Sequence, residues 1–178
     1  MRVAVTGTPG AGKTTATRLL AARAADDDHP FDLEVVHCND LIADEDLYTA
    51  VDEERDSVVA DLDALADRLE GVDDALFDSH LAHHLAVDRV AVLRCAPETL
   101  ESRLRERGES ATKARENAES EALDVILVEA LERHGRESVY ELETTERSPE
   151  SVADELAAIC RGERDPSAGT VDYVGYLA

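Results

Sequence analysis

Short apolar runs alternate along the chain with stretches whose apolar residues recur every three or four positions. The runs at Arg2–Thr6, Leu33–His37, Ala75–Asp78, Arg89–Arg94 and Val139–Glu143 are of strand length. Between them the spacing predicts helices. The first runs from about Gly12 to Ala25 with Leu19 and Leu20 on its buried side, and Asp26-Asp27-Asp28-His29-Pro30 ends it as a solvated loop. The acidic stretch from Asp40 to Asp56 has no strand character. It leads into a predicted helix carrying Val58, Val59, Leu62, Leu65 and Leu69 at spacings of three and four. Pro97 suits the first turn of a further helix, and Gly108 suits its end. A polar segment follows from Gly108 to Asn117, then a long predicted helix over Glu119–His134 that stops at Gly135. Ser148 is placed to cap the last helix, and an irregular tail from Gly162 carries Val171, Tyr173, Val174, Tyr176 and Leu177 for docking on the body. This alternation predicts an α/β fold in one domain spanning residues 1–178, with no internal repeat and no long linker.

Directly after the first strand, Gly7-Thr8-Pro9-Gly10-Ala11-Gly12-Lys13-Thr14 spells G-x-x-x-x-G-K-[ST]. The chemistry requires each part. Glycines let successive backbone N–H groups face a polyphosphate without a blocking side chain. Lys13 can reach the β- and γ-phosphates, the Thr14 hydroxyl can ligate Mg²⁺, and the helix starting near Gly12 adds its positive dipole end. A strand before the motif and a helix after it are the context that makes it a nucleoside triphosphate site.

Charge changes the picture in a different way. The formal net charge is −23, and of 18 basic residues only Lys13 and Lys113 are lysines. A domain so acidic repels itself unless salt screens it. The acid is spread along the chain, as expected of a cytoplasmic protein from a high-salt halophile, although a surface made to hold a basic partner predicts the same charge. No basic stripe exists to neutralise phosphates, so direct sequence-specific nucleic-acid binding is not expected. Cys38, Cys95 and Cys160 are widely spaced and read as reduced, buried residues. No apolar run approaches the ~18 residues of a membrane span, and a strand occupies the N-terminus in place of a signal peptide, so an intracellular location with no membrane partner is expected.

Three further groups are candidates for chemistry. Asp78 closes an apolar run and should emerge at the carboxyl end of a strand beside the phosphate loop, where it can hold Mg²⁺ or merely cap a turn. His80 lies just beyond and can orient a water or an acceptor phosphate. His83 and His84 read as helix-surface or partly buried side chains, because no Cys or Glu nearby in sequence completes a metal set. Arg103, Arg105 and Arg107 precede Gly108, with Lys113 and Arg115 beyond. Arg107 suits a basic flap closing on a triphosphate, whereas i,i+4 pairing (Glu101 with Arg105) accounts for Arg103 and Arg105.

These residues together resemble the nucleoside monophosphate kinases, and within them the atypical adenylate kinase family of small-ribosomal-subunit maturation. The marks are Gly7 to Thr15, the Asp78-Ser79-His80 triplet in place of D-G-F-P-R, Arg107-Gly108, and the segment Lys113, Asn117, Glu121. The resemblance implies a three-layer α/β/α P-loop fold on a five-stranded parallel sheet, with a monophosphate-binding segment at about 31–51 and a lid at about 106–116. It implies that Gly10, Gly12, Lys13, Thr14, Thr15 and Arg107 contact ATP. Asp78 and His80 form a Mg²⁺/water motif, and Asn39 and Asp40 open the monophosphate segment. AMP or another monophosphate is the implied acceptor, with ATPase activity and binding of ribosomal protein uS11 and small-subunit precursors beside it. Two residues depart from the pattern. Ala43 stands where an Arg is usual, with Arg55 a conceivable substitute, and Glu109 replaces a common aromatic. Both bear on AMP phosphorylation more than on ATP binding.

Overall fold

A computed structural model of the chain describes residues 1–24, 33–52 and 57–178. Five parallel strands form the central sheet: β1 (Arg2–Thr6), β2 (Glu34–His37), β5 (Ala75–Asp78), β6 (Arg89–Arg94) and β7 (Val139–Glu143). Their order across the sheet is β2-β5-β1-β6-β7. Alternate residues of each strand point to opposite faces, which splits the apolar set in two. Val3, Val5, Leu76 and Leu93 pack into one core with Leu20, Leu156 and Ile159. These belong to the helices α1 (Lys13–Ala24) and α7 (Pro149–Arg161), which lie on that face together. Ala4, Phe77, Val90 and Val92 enter the second core with Leu65, Leu127 and Ala130, from α3 (Leu62–Arg68) and α6 (Val125–His134). The result is the expected three-layer α/β/α fold.

Three elements differ from the sequence reading, each for a local reason. The acidic stretch contains a strand, β3 (Tyr48–Asp52), which pairs antiparallel with β4 (Ser57–Ala60) and so removes Val58 and Val59 from the predicted helix. Branching at Cβ favours the extended backbone there. Asp61 then caps α3, its side chain accepting from the Ala64 amide at 3.0 Å. The polar segment after Gly108 is already helical, as α5 (Ala111–Ala122), capped by Ser110 accepting from the Lys113 amide. The long helix predicted over Glu119–His134 is two helices, α5 and α6, broken at Asp124 in the left-handed region with φ +57°. Asp and Asn tolerate that conformation better than most residues, and the Asp124 carboxylate is held by the Arg94 guanidinium. The loop Asp26–Pro30 and Arg55 lie outside the described residues.

Among the described residues no helix is long and apolar enough to cross a membrane. Cys38, Cys95 and Cys160 are buried thiols, as expected. The tail docks largely through polar groups. Ser167 bridges to Tyr140 at the sheet edge, Tyr173 donates to Glu143 at 3.0 Å, and Tyr176 donates to Glu101 at 2.9 Å, whereas Val174 and Leu177 stay exposed. With a net charge of −23 on this body, the unfolding midpoint is expected to rise as KCl is raised from dilute buffer to molar range. A midpoint indifferent to salt in differential scanning calorimetry would show that self-repulsion does not limit this fold.

Candidate functional site

The loop between β1 and α1 sits at the carboxyl edge of the sheet, beside the end of β5. Its geometry follows from glycine. Gly7 has φ +135°, and a Cβ there would stand 2.3 Å from the Leu93 carbonyl oxygen, so only glycine lets the loop lie on β6. Gly12, at φ +96°, has nothing within 4 Å of a Cβ position, so the turn opens on free space. Lys13 folds back over this turn and donates to the carbonyls of Gly7 at 2.7 Å and Thr8 at 3.1 Å. Burial pushes its ammonium down to about 8 against the pull of the Asp78 and Glu121 carboxylates. Thr14 and Thr15 are exposed at the first turn of the helix.

Asp78 ends β5 in register with Val5, so its carboxylate faces the loop. Its Oδ2 accepts from the Thr17 hydroxyl at 3.1 Å and pairs with His37 Nδ1 at 2.9 Å. Its Oδ1 is buried and has no hydrogen-bond partner. An orphaned carboxylate oxygen beside a phosphate loop and the Thr14 hydroxyl is a donor set of the hard-oxygen kind that suits Mg²⁺. His80 is half-buried at the same mouth, and burial together with the nearby Lys13 pushes its ring down to about 4, which keeps it neutral. Ser79 donates to the Asn39 side-chain oxygen at 2.8 Å, bringing the start of α2 (Cys38–Asp44) to the site. Asp40 is exposed on the same helix, as is Ala43.

Two clefts meet at the loop. One, of about 230 Å³, is lined by Gly10, Gly12, Thr15, Arg103, Arg107 and residues near Thr144. The other, of about 550 Å³, is lined on the opposite side by Thr8, Asn39, His80, Lys113 and Asn117, with Glu109, Glu116 and Glu129 also on its walls. Arg107 and Gly108 form the turn between α4 (Pro97–Glu106) and α5. Of the residues picked out in the sequence, Gly10, Gly12, Thr15 and Arg107 line the first cleft and Asn39 and His80 the second. Lys13, Thr14 and Asp78 stand at the loop itself, and Asp40 lines neither cleft.

Several side chains that hold the loop were missed. Arg103, assigned to helix pairing, instead turns inward, its guanidinium 3.4 Å from the Gly10 and Thr145 carbonyls and 3.3 Å from Cys95 Sγ. Thr144 lies 3.0 Å from the Ala11 carbonyl. Glu121, noted only within a resembling segment, is buried and accepts from the Thr8 hydroxyl, the Cys95 amide and Arg94. None carries a local signal, since each acts across the fold. Arg103→Ala is expected to raise the ATP KM about ten-fold, the equivalent of one charge-assisted hydrogen bond of ~1.5 kcal/mol, while the melting temperature changes little. An unchanged KM would mean that the loop is held without Arg103.

Comparison with known proteins places the chain. A family model described as "AAA domain" matches residues 3–124. A protein of Natronomonas pharaonis named "Putative adenylate kinase" is 57% identical over 177 residues, covering 99% of this chain and 100% of its own. Its namesake in Halobacterium salinarum strain R1 is 54% identical with the same coverage, and that of Methanosarcina barkeri is 42% identical over 89% of this chain and 85% of its own. Among solved structures, deoxyadenosine kinase from M. mycoides superposes with a TM-score of 0.58 at 17% identity, covering 91% of this chain and all of its own. Shikimate kinase from Bacteroides thetaiotaomicron gives 0.55 at 17%, covering 90% and 98%. These two show the fold, and the sequence relatives show the kinship: the chain belongs to the adenylate-kinase-like family of P-loop proteins.

Proposed function

We propose that the chain is a nucleoside monophosphate kinase of adenylate kinase type, which moves the γ-phosphoryl group of ATP onto AMP or another monophosphate. The observation that carries this reading is the pair of clefts meeting at the phosphate loop, with Lys13 between them. In this reading the cleft bearing Arg103 and Arg107 takes ATP, and the cleft bearing Asn39, His80, Lys113 and Asn117 takes the acceptor. Gly10, Gly12, Thr14 and Thr15 hold the triphosphate by backbone and hydroxyl donors. Lys13 and Arg107 balance charge on the transferring group. Asp78 and Thr14 would hold Mg²⁺, which would supply positive charge against the phosphates. Asn39 and Asp40 open the monophosphate segment, and the α4–α5 turn serves as the lid that excludes water. No side-chain nucleophile is needed, because the acceptor phosphate is itself the nucleophile.

One observation favours a second reading, a ribosome-assembly ATPase acting on uS11 and small-subunit precursors. Lys113 is the sole Lys or Arg among the described residues lining the acceptor cleft, and it stands 3.0 Å from Glu109, with Glu116 and Glu129 close by. Such walls suit a dianionic acceptor less well than a cationic one. His80 and Asp78 would then position water, and the acidic surface would receive a basic protein. Turnover in molar KCl with Mg²⁺, with and without AMP, separates the two. ADP formed in excess of phosphate only when AMP is present supports the kinase. Phosphate release indifferent to every monophosphate tested overturns it in favour of the ATPase.

A further inference from the structure

The turn that follows β5 and the helix α6 bring together two side chains adjacent in sequence and one remote from them. His83 and His84 close the single 3₁₀ turn Ala82–His84, and Glu129 faces them from α6. One ring nitrogen of each histidine and one carboxylate oxygen all lie within 4.8 Å of one another, which supplies the acidic ligand that the local sequence lacked. The two rings are 4.2 Å apart between centroids and tilted by 39°.

The orientation of His83 is fixed before any ligand arrives. Its ring is 1% exposed. The Thr6 hydroxyl donates to the His80 carbonyl at 3.1 Å and lies 2.9 Å from His83 Nδ1. In the tautomer in which that hydroxyl gives its proton to the carbonyl and accepts from Nδ1, Nε2 carries a lone pair directed at Glu129. Nε2 stands 3.0 Å from Glu129 Oε2. In that tautomer two acceptors face each other and a metal cation between them removes the repulsion, whereas in the other tautomer the same contact is an N–H···O hydrogen bond. The His83 carbonyl is in turn clamped by His134 Nε2 at 2.6 Å, which locks the turn onto the end of α6. A histidine that gives its second ring N–H to a fixed acceptor is how metal-ligating imidazoles are oriented.

We propose that His83 Nε2, His84 and Glu129 bind a zinc-class divalent transition metal, separate from the Mg²⁺ of the phosphate site. Two imidazoles and one carboxylate suit an ion of intermediate softness and are a poor set for Mg²⁺, which prefers oxygen. Bonds of about 2.0–2.2 Å place tetrahedral ligand atoms ~3.4 Å apart. The His83–Glu129 pair is already inside that distance, and rotation of the half-buried His84 brings in the third ligand. Three protein ligands leave a fourth position for water. The acceptor cleft borders this site, since its wall includes His83 and Glu129. The ion would also tie the turn after β5 to α6.

The test is direct titration of untagged, chelator-treated protein with Co²⁺ in excess Mg²⁺ and without nucleotide, read by the visible d–d absorption of the bound ion. One Co²⁺ per chain, displaced by Zn²⁺ and accompanied by a raised melting temperature, is expected. Asp78→Asn should retain that ion. His84→Ala and Glu129→Gln should each weaken it about ten-fold or more, and both positions reach solvent, so neither variant depends on replacing the buried His83. Absence of any Co²⁺ band overturns the proposal and leaves a proton as what joins His83 to Glu129. Binding lost in Asp78→Asn but kept in His84→Ala overturns it too, by placing the ion at the phosphate loop. Both readouts are independent of phosphoryl transfer, so they stand or fall apart from the kinase reading.

Discussion

Lys13→Ala is expected to lower ATP turnover by about 10²–10³-fold or more, with circular dichroism and the melting temperature close to those of the parent. The rate loss follows from removing a preorganised cation aimed at the charge that develops on the transferring group. The ammonium is already drawn over the loop, bonded to the Gly7 and Thr8 carbonyls rather than to a distant carboxylate, so it need not reorganise far to meet a phosphate. The fold should survive because the loop keeps its other anchors, the Ala11 amide on the Thr8 carbonyl at 3.1 Å and the Thr8 hydroxyl on Glu121. Full activity in this variant would remove the phosphate-loop assignment outright. Loss of activity together with loss of structure would show instead that Lys13 closes the loop as a structural element.

Arg94→Met should cost about 3–5 kcal/mol of stability. For a chain of this size that is a fall in melting temperature of roughly 6–20 °C. Arg94 is 1% exposed at the end of β6, and its guanidinium is shared among Glu121 at 2.8 Å, Glu141 at 2.5 Å and Asp124. Removing the one cation leaves two buried carboxylates facing each other without compensation, which is the costly way to break such a cluster. The effect should also reach function. Glu121 holds the Thr8 hydroxyl of the phosphate loop, while Glu141 Oε2 accepts from the Thr170 amide at 2.6 Å and from its hydroxyl at 2.8 Å. Loop, α5 and tail therefore meet at one guanidinium. A decrease of less than ~2 °C in the variant, measured at the same salt, would show that water reaches these carboxylates and screens them.

The five sheet strands and the phosphate loop were legible because their signals are local. A strand buried on both faces must be a short apolar run, and a loop that wraps a polyphosphate must place glycine where φ is positive, as at Gly7 and Gly12. The end of β5 likewise put Asp78 at the mouth from the pattern alone. The hairpin of β3 and β4 escaped, since its exposed Val51, Val58 and Val59 carry no burial signal and fit a helical spacing equally well. The break at Asp124 escaped for another reason: it is enforced by Arg94, a partner on a different strand.

The sequence by itself determined the α/β class, the nucleotide loop and the carboxylate beside it, all of which rest on spacing within a few residues. The tertiary structure alone decided which charged groups act where. Arg103 left its helix neighbours for the Gly10 carbonyl, Glu121 became the brace of Thr8, and Glu129 arrived opposite His83 and His84. Charge interactions depend on distance and on the exclusion of water, and neither quantity is written in the order of residues along a chain.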